Sequence, residues 1–89
     1  MKVLKFGAVW CPTCLIMKPR WAEIEKENSW LEAEYFEYDE YPEKVKEYNV
    51  GSVLPIFIFL DSNGQEFLRL KGEVSKKEIL EILVNNKGK

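Results

Sequence analysis

The chain has 89 residues, 46% of them hydrophobic and 13% aromatic, which is enough to fill one core without covalent staples. Its 13 basic and 15 acidic side chains are interspersed, so it lacks the basic footprint of a nucleic-acid binder. The longest apolar run, residues 53–60, contains a proline and falls far short of the roughly 20 residues that a membrane-spanning helix needs.

Two cysteines and no histidine narrow the chemistry further, excluding Cys–His hydrolysis and mixed Cys/His zinc sites within one chain. The length predicts a single domain over residues 1–89. Residues 1–6 lack the apolar stretch and small-residue cleavage site of a signal peptide, so the expectation is a soluble cytoplasmic monomer, with no membrane and no nucleic acid among its partners. A piece of a longer exported protein would read the same way.

Residues 2–8 alternate, with Leu4, Phe6 and Ala8 on one side and Val3, Lys5 and Gly7 on the other. This period of two predicts a strand with one well-buried face. Residues 12–28 read as a helix with Leu15, Ile16, Ala22 and Ile24 among its apolar positions, and Pro19 should bend it by removing a backbone donor. Residues 33–39 alternate again, Phe36 and Tyr38 opposite Tyr35 and Glu37. A turn at 39–42 and a short helix at 43–49 come next.

Residues 56–60 are apolar on both faces, which predicts a fully covered strand. Asp61-Ser62-Asn63-Gly64 is a hairpin turn, because Asn and Gly accept positive φ, and residues 65–71 supply the antiparallel partner. Gly72 breaks the pattern. Ser75, with Glu78 three residues on, caps an amphipathic final helix carrying Ile79, Leu80, Ile82 and Leu83. The order is βαβαββα: an α/β fold with a four-stranded mixed sheet flanked by helices, its first two strands parallel and its last two a hairpin.

Trp10-Cys11-Pro12-Thr13-Cys14 falls between the first strand and the first helix. Disulfide exchange needs an exposed thiolate to attack, a second thiol close enough to resolve the mixed disulfide, and a positive environment for the anion. A helix start supplies free N–H groups and the positive end of the dipole to Cys11. Cys14 sits one turn further in as the natural, more shielded, resolving thiol, and Pro12 suits the first helical turn. Inert core cysteines are the plain alternative. A zinc site would need two more ligands, which only a dimer could bring.

The run Phe6-Gly-Ala-Val-Trp-Cys-Pro-Thr-Cys, with Pro19 five residues beyond Cys14, resembles the active-site region of the thioredoxin superfamily. The resemblance continues through Asp39, Pro42, Tyr48-Asn-Val, Pro55, the Asn63-Gly64 turn, Gly72 and the helix opened by Ser75, nearly the whole chain. It implies a redox-active disulfide between nucleophile Cys11 and resolving Cys14, cycling without metal or organic cofactor. It also implies a substrate groove made of Trp10, Pro12, Thr13, Leu54 and Pro55. Pro55 corresponds to the family's cis-proline, which would leave the Leu54 backbone free to pair with a substrate strand.

The activity so implied is that of a protein disulfide reductase acting on disulfide-containing proteins and recharged by a flavoenzyme similar to thioredoxin reductase. An oxidase or isomerase of the same fold, and a non-catalytic binding module, are the alternatives. Several features depart from the family. The family's N-terminal strand and helix are absent. There is no Gly-Gly-x-x-Asp to seat glutathione, no Thr after Pro55, and Pro12-Thr13 stands where thioredoxins have Gly-Pro. Lys5 occupies the place of a buried acid six residues before the nucleophile. Lys5 has three readings: a solvated lysine on a thinly covered face, a partner of Glu37, or a desolvated amine exchanging protons with Cys14.

Overall fold

In the computed structural model, which describes residues 1–89, four strands form one sheet in the order β2-β1-β3-β4. The elements are β1 (Lys2–Gly7), α1 (Pro12–Glu27), β2 (Glu32–Glu37), α2 (Pro42–Glu47), β3 (Ile56–Leu60), β4 (Glu66–Lys71) and α3 (Lys76–Asn85). The predicted βαβαββα order holds. β1 and β2 are parallel, as a helical crossover requires, and β3 runs antiparallel to both β1 and β4.

β1 departs from its reading as a strand with one buried face. It lies inside the sheet with a helix layer on each side, so both sets of its alternating side chains are covered. Val3 packs with Met17, Trp21 and Ile24 of α1, Phe57 and Phe59 of β3, and Ile79 and Leu83 of α3. Leu4 and Phe6 point the other way, into a second cluster with Phe36, Val50, Ile56, Ile58 and Leu60, which Val45 of α2 and Tyr48 complete. All five residues of β3 are buried, as its unbroken apolar run predicts.

α1 also presents a different face from the one anticipated. Met17, Trp21 and Ile24, spaced four and three apart, turn toward the sheet. Leu15 and Ile16 are left 57% and 49% exposed, and Ala22 is exposed too. Pro19 is accommodated within the helix, which continues through it to Glu27. Trp21 is the largest fully buried side chain, its ring centroid 5.2 Å from that of Phe57 and 6.1 Å from that of Phe59.

The hairpin turn uses one left-handed residue rather than two: Gly64 takes φ +79°, while Asn63 keeps a negative φ. The carboxylate of Asp61 accepts the N–H groups of Asn63 and Gln65, and that replaces a second positive φ in holding the loop. Ser75 caps α3 as predicted, its hydroxyl accepting the Glu78 N–H at 3.1 Å. No helix is long and apolar enough to cross a membrane.

Because Trp21 joins α1 to β3 and sits under Val3, Trp21→Ala should destabilise the reduced protein by about 3–5 kcal/mol, the range for deleting a buried aromatic. Urea unfolding followed by circular dichroism measures this. A loss below about 1 kcal/mol would show that α1 is held by other contacts.

Candidate active site

α1 starts where it does because Cys11 adopts extended backbone angles, φ −99° and ψ 110°, and Pro12 fills the first helical position without needing a donor. Cys11 is therefore the N-cap residue, with sulfur in the role usually taken by a hydroxyl or carboxylate oxygen. Its Sγ accepts the Cys14 N–H at 3.2 Å, while its S–H faces the Leu54 carbonyl oxygen at 3.8 Å. Both cysteines are free thiols.

The exposure of the two thiols is the reverse of the sequence-based expectation. Cys11 is 6% exposed, covered by the loop that ends in Leu54 and Pro55, whereas Cys14 is half-buried. The two sulfurs differ in what surrounds them. Burial above all, then the hydrogen bond and charge of Cys11 and the charge of Glu37, pushes the Cys14 thiol up to about 11. Cys14 thus carries its proton at neutral pH. Cys11 receives the Cys14 N–H at the helix N-terminus.

The predicted groove residues come together around this pair. Trp10 is 59% exposed beside Cys11, and its indole N–H donates to Asp39 Oδ2 at 2.7 Å, fixing the ring over the β2–α2 connection. Pro12 is exposed and Thr13 partly so, on the same first turn. The Leu54–Pro55 peptide bond is cis. Pro55 is buried, and its carbonyl accepts the N–H of Gly72, which takes φ +77°. The Leu54 carbonyl is engaged by Cys11 rather than free.

Arg69 of β4 was not anticipated. Its guanidinium donates to the Tyr48 and Asn49 carbonyls at 2.7 and 3.2 Å while paired with Glu66, and so anchors the start of the segment leading to Pro55. An arginine on an alternating strand gives no sequence signal for that task.

Lys5 departs from two of its three readings. α1 covers its face of the sheet, so its side chain is only 16% exposed, and Nζ lies 2.5 Å from Glu25 Oε2 of α1 and 5.8 Å from the Trp21 ring centroid. It is neither solvated nor paired with Glu37. Glu37 instead accepts the Val9 N–H on Oε2 at 3.0 Å and the Tyr35 hydroxyl on Oε1 at 2.9 Å. Tyr35, another residue to which the sequence gives no role, extends alongside Gly7. A Cβ on Gly7 would sit 3.1 Å from Tyr35 Oη and 3.3 Å from Cys14 Sγ, so a side chain there would have to push these neighbours back by a few tenths of an ångström. Behind the redox pair lies a cavity of about 100 Å³, with Lys5, Cys14, Lys18, Trp21, Tyr35 and Glu37 on its walls.

A family model described as thioredoxin matches residues 1–79. Thioredoxin H5 of Oryza sativa subsp. japonica is 37% identical over 70 residues, covering 79% of this chain. The chain spans 50% of that relative's length. Among solved structures, Fasciola hepatica thioredoxin superposes with a TM-score of 0.84 at 26% identity, covering 94% of this chain and 78% of that one. Thioredoxin-2 of the malaria parasite superposes with a TM-score of 0.89 at 21% identity, covering 96% and 82%, a likeness of fold.

The contrast between the two sulfurs predicts how they alkylate. Near neutral pH, iodoacetamide should label Cys11 and leave Cys14 largely unmodified. A raised pKa keeps the unreactive thiol form below it, so Cys14 labelling should climb only as pH approaches about 11. Mass spectrometry of the labelled peptides reads both rates, and equal labelling at neutral pH would remove the assignment of roles.

Proposed function

This chain belongs to the thioredoxin family, and from that premise we propose that it is a thiol–disulfide oxidoreductase that reduces protein disulfides through Cys11 and Cys14. One observation carries the reading: the two thiols share a single helix turn, with Cys11 Sγ receiving the Cys14 N–H and Cys14 kept protonated. That asymmetry is what a two-step exchange needs. The Cys11 thiolate attacks one sulfur of a substrate disulfide, expelling the other as thiolate and leaving a mixed disulfide. Cys14 then loses its proton and attacks Cys11 Sγ. The bond to substrate breaks, reduced substrate departs, and the Cys11–Cys14 disulfide closes. Keeping Cys14 protonated through the first step prevents a premature competing thiolate.

The surface around the pair supports a polypeptide substrate rather than a small ion. Val9, Trp10, Leu15, Ile16 and Val53 are large apolar side chains about half exposed or more. Scattered apolar residues need no explanation, but several on segments around one reactive sulfur suit an unfolded or extended segment carrying a cystine. A substrate strand pairing along Leu54 would replace only the weak contact between Cys11 and its carbonyl.

The chain has no cysteines beyond Cys11 and Cys14, so resetting the disulfide calls for an outside dithiol or hydride donor, and a flavin-dependent reductase fits that role. A monomer in a reducing compartment such as the cytosol suits this cycle.

Insulin reduction tests the proposal. The wild-type protein should accelerate precipitation of the insulin B chain in the presence of a dithiol, and Cys11→Ser should bring the rate to background. Cys14→Ser should also lose turnover but accumulate mixed disulfides resolvable on non-reducing gels. Folded wild-type protein with no activity would overturn the reductase reading. Lys5→Met should change the rate less than about threefold, below roughly 1 kcal/mol in the barrier, because Nζ is held by Glu25 rather than by a reacting atom. A hundredfold loss with folding intact would put Lys5 in the chemistry.

A further inference from the structure

The two-step exchange proposed above leaves a chemical problem at its resolving step, and any solution to that problem rests on the exchange itself being right. Cys14 must shed a proton that its surroundings hold tightly, and it must do so while Cys11 is tied up in the mixed disulfide and offers no thiolate to take it. A base is needed close to Cys14 Sγ, and it must differ from the nucleophile.

We propose that Tyr35 and Glu37 of β2 form the proton relay of the resolving thiol, with the Tyr35 hydroxyl receiving the Cys14 proton and Glu37 acting as the terminal acceptor. The geometry carries the assignment. Tyr35 Oη and Cys14 Sγ both crowd the bare side of Gly7, at 3.1 and 3.3 Å from the point its Cβ would occupy. The Tyr35 O–H already donates to Glu37 Oε1 at 2.9 Å, which leaves the oxygen's lone pairs as the acceptor. Transfer from Cys14 runs through one water in the adjoining cavity, which both residues line and whose volume of about 100 Å³ exceeds the roughly 10–15 Å³ one water requires. Trp21, on the wall of the same cavity, has a buried indole N–H without a protein acceptor, a second polar group suited to such a water.

Glu37 is itself held in place. Its other oxygen accepts the Val9 N–H, so the carboxylate joins the loop that carries Cys11 to the strand that carries Tyr35. Burial and the bond to Glu37 push the Tyr35 phenol above its usual range, so it relays a proton rather than ionising on its own. The other charged groups around the two thiols serve differently. Lys5 on β1 is neutralised by Glu25 of α1. Lys18 of α1 also lines the cavity but makes no hydrogen bond to Cys14 or Glu37. Asp39 is occupied by Trp10.

Protons and electrons balance across the step. The Cys14 S–H proton passes to Tyr35 Oη as the Tyr35 proton passes to Glu37 Oε1, which becomes a neutral carboxyl. The sulfur electron pair so freed forms the bond to Cys11 Sγ. The bond from Cys11 to the substrate sulfur breaks, and its electron pair leaves on that sulfur as thiolate. Glu37 returns its proton through solvent, where the departing thiolate is protonated. The protein dithiol loses two electrons, and the substrate disulfide, the oxidant, gains them.

Stopped-flow reaction of the reduced protein with 5,5′-dithiobis(2-nitrobenzoate) separates the two steps, because attack by Cys11 releases the first thionitrobenzoate and attack by Cys14 releases the second. Tyr35→Phe and Glu37→Gln should each slow the second release at neutral pH by at least about tenfold, the low end for loss of positioned acid–base assistance. The first release should remain within about twofold, and the double variant should be no slower than the slower single, as for residues that act as a unit. Glu37→Asp, which keeps a carboxylate, should recover part of the rate. The deficit should shrink as pH rises toward the Cys14 value of about 11, where the thiol ionises unaided.

A second release within about twofold of wild type in both variants would overturn the relay. So would equal slowing of both releases, which would mark a structural role through Val9. Absence of the first release from the wild-type protein would instead overturn the redox reading itself, and the relay with it.

Discussion

The hydrogen bond from the Cys14 N–H to Cys11 Sγ exists only if α1 begins at Pro12 and its first turn stands at the end of β1. Two contacts arrange this. Trp21, three turns along the helix, lies against Phe57 and Phe59 and sets the helix down on the sheet. The extended backbone at Cys11 and the ring of Pro12 then determine which amides remain free. If either contact shifted, the sulfur would face solvent or bulk core rather than the Cys14 N–H. The chemistry of the pair is thus a consequence of where one helix starts.

The sheet brings the remaining groups to the same point from different directions. β1 and β2 run parallel, so Gly7 and Glu37 come level at their C-terminal ends, where Glu37 meets the chain as it leaves for Cys11. β3, antiparallel to β1, starts at Ile56 beside Phe6, so the segment just before it, Leu54 and Pro55, arrives over Cys11. Arg69 on β4 holds the beginning of that segment through two carbonyls, and Gly72 holds its end. The strand ends carry Gly7, Glu37 and the approach to Pro55, which leaves most of the faces to the two apolar clusters.

Charge is distributed with the same economy. The cation on β1 is turned under α1 and matched by Glu25, which keeps an unpaired ammonium out of the half-buried layer. The carboxylate near Cys14 comes from the neighbouring strand and is held by one N–H and one hydroxyl, so it is fixed without a cation. Its charge and the burial of Cys14 act in the same direction, both favouring the neutral thiol. Of the two sulfurs, Cys14 is thereby the one that resists negative charge.

Much of this was legible in the residues themselves. Periodicity and turn signals located the first six elements to within a residue or two, and the Ser75 cap marked the start of the seventh, because strands, helices and turns are set by adjacent residues. The spacing of Cys11 and Cys14 behind a strand and ahead of a helix pointed to thiol–disulfide exchange, and Pro12 and Ser75 marked their helix starts, since capping is a matter of adjacent residues. Contacts between distant neighbours were not legible. Alternation in β1 could not reveal that both its faces are covered, because coverage depends on where α1, α2 and α3 dock. Leu15 and Ile16 read as core positions, yet the helix turned Trp21 inward and left them around the redox pair. The partner of Lys5 lay twenty residues away, on a helix whose rotation is set by packing. The joining of Tyr35 and Glu37 to Cys14 required strand register, the absence of a side chain at Gly7 and the fall of one helix end. None of these is written in any single stretch of chain, because each is a distance between elements that only the packed core determines.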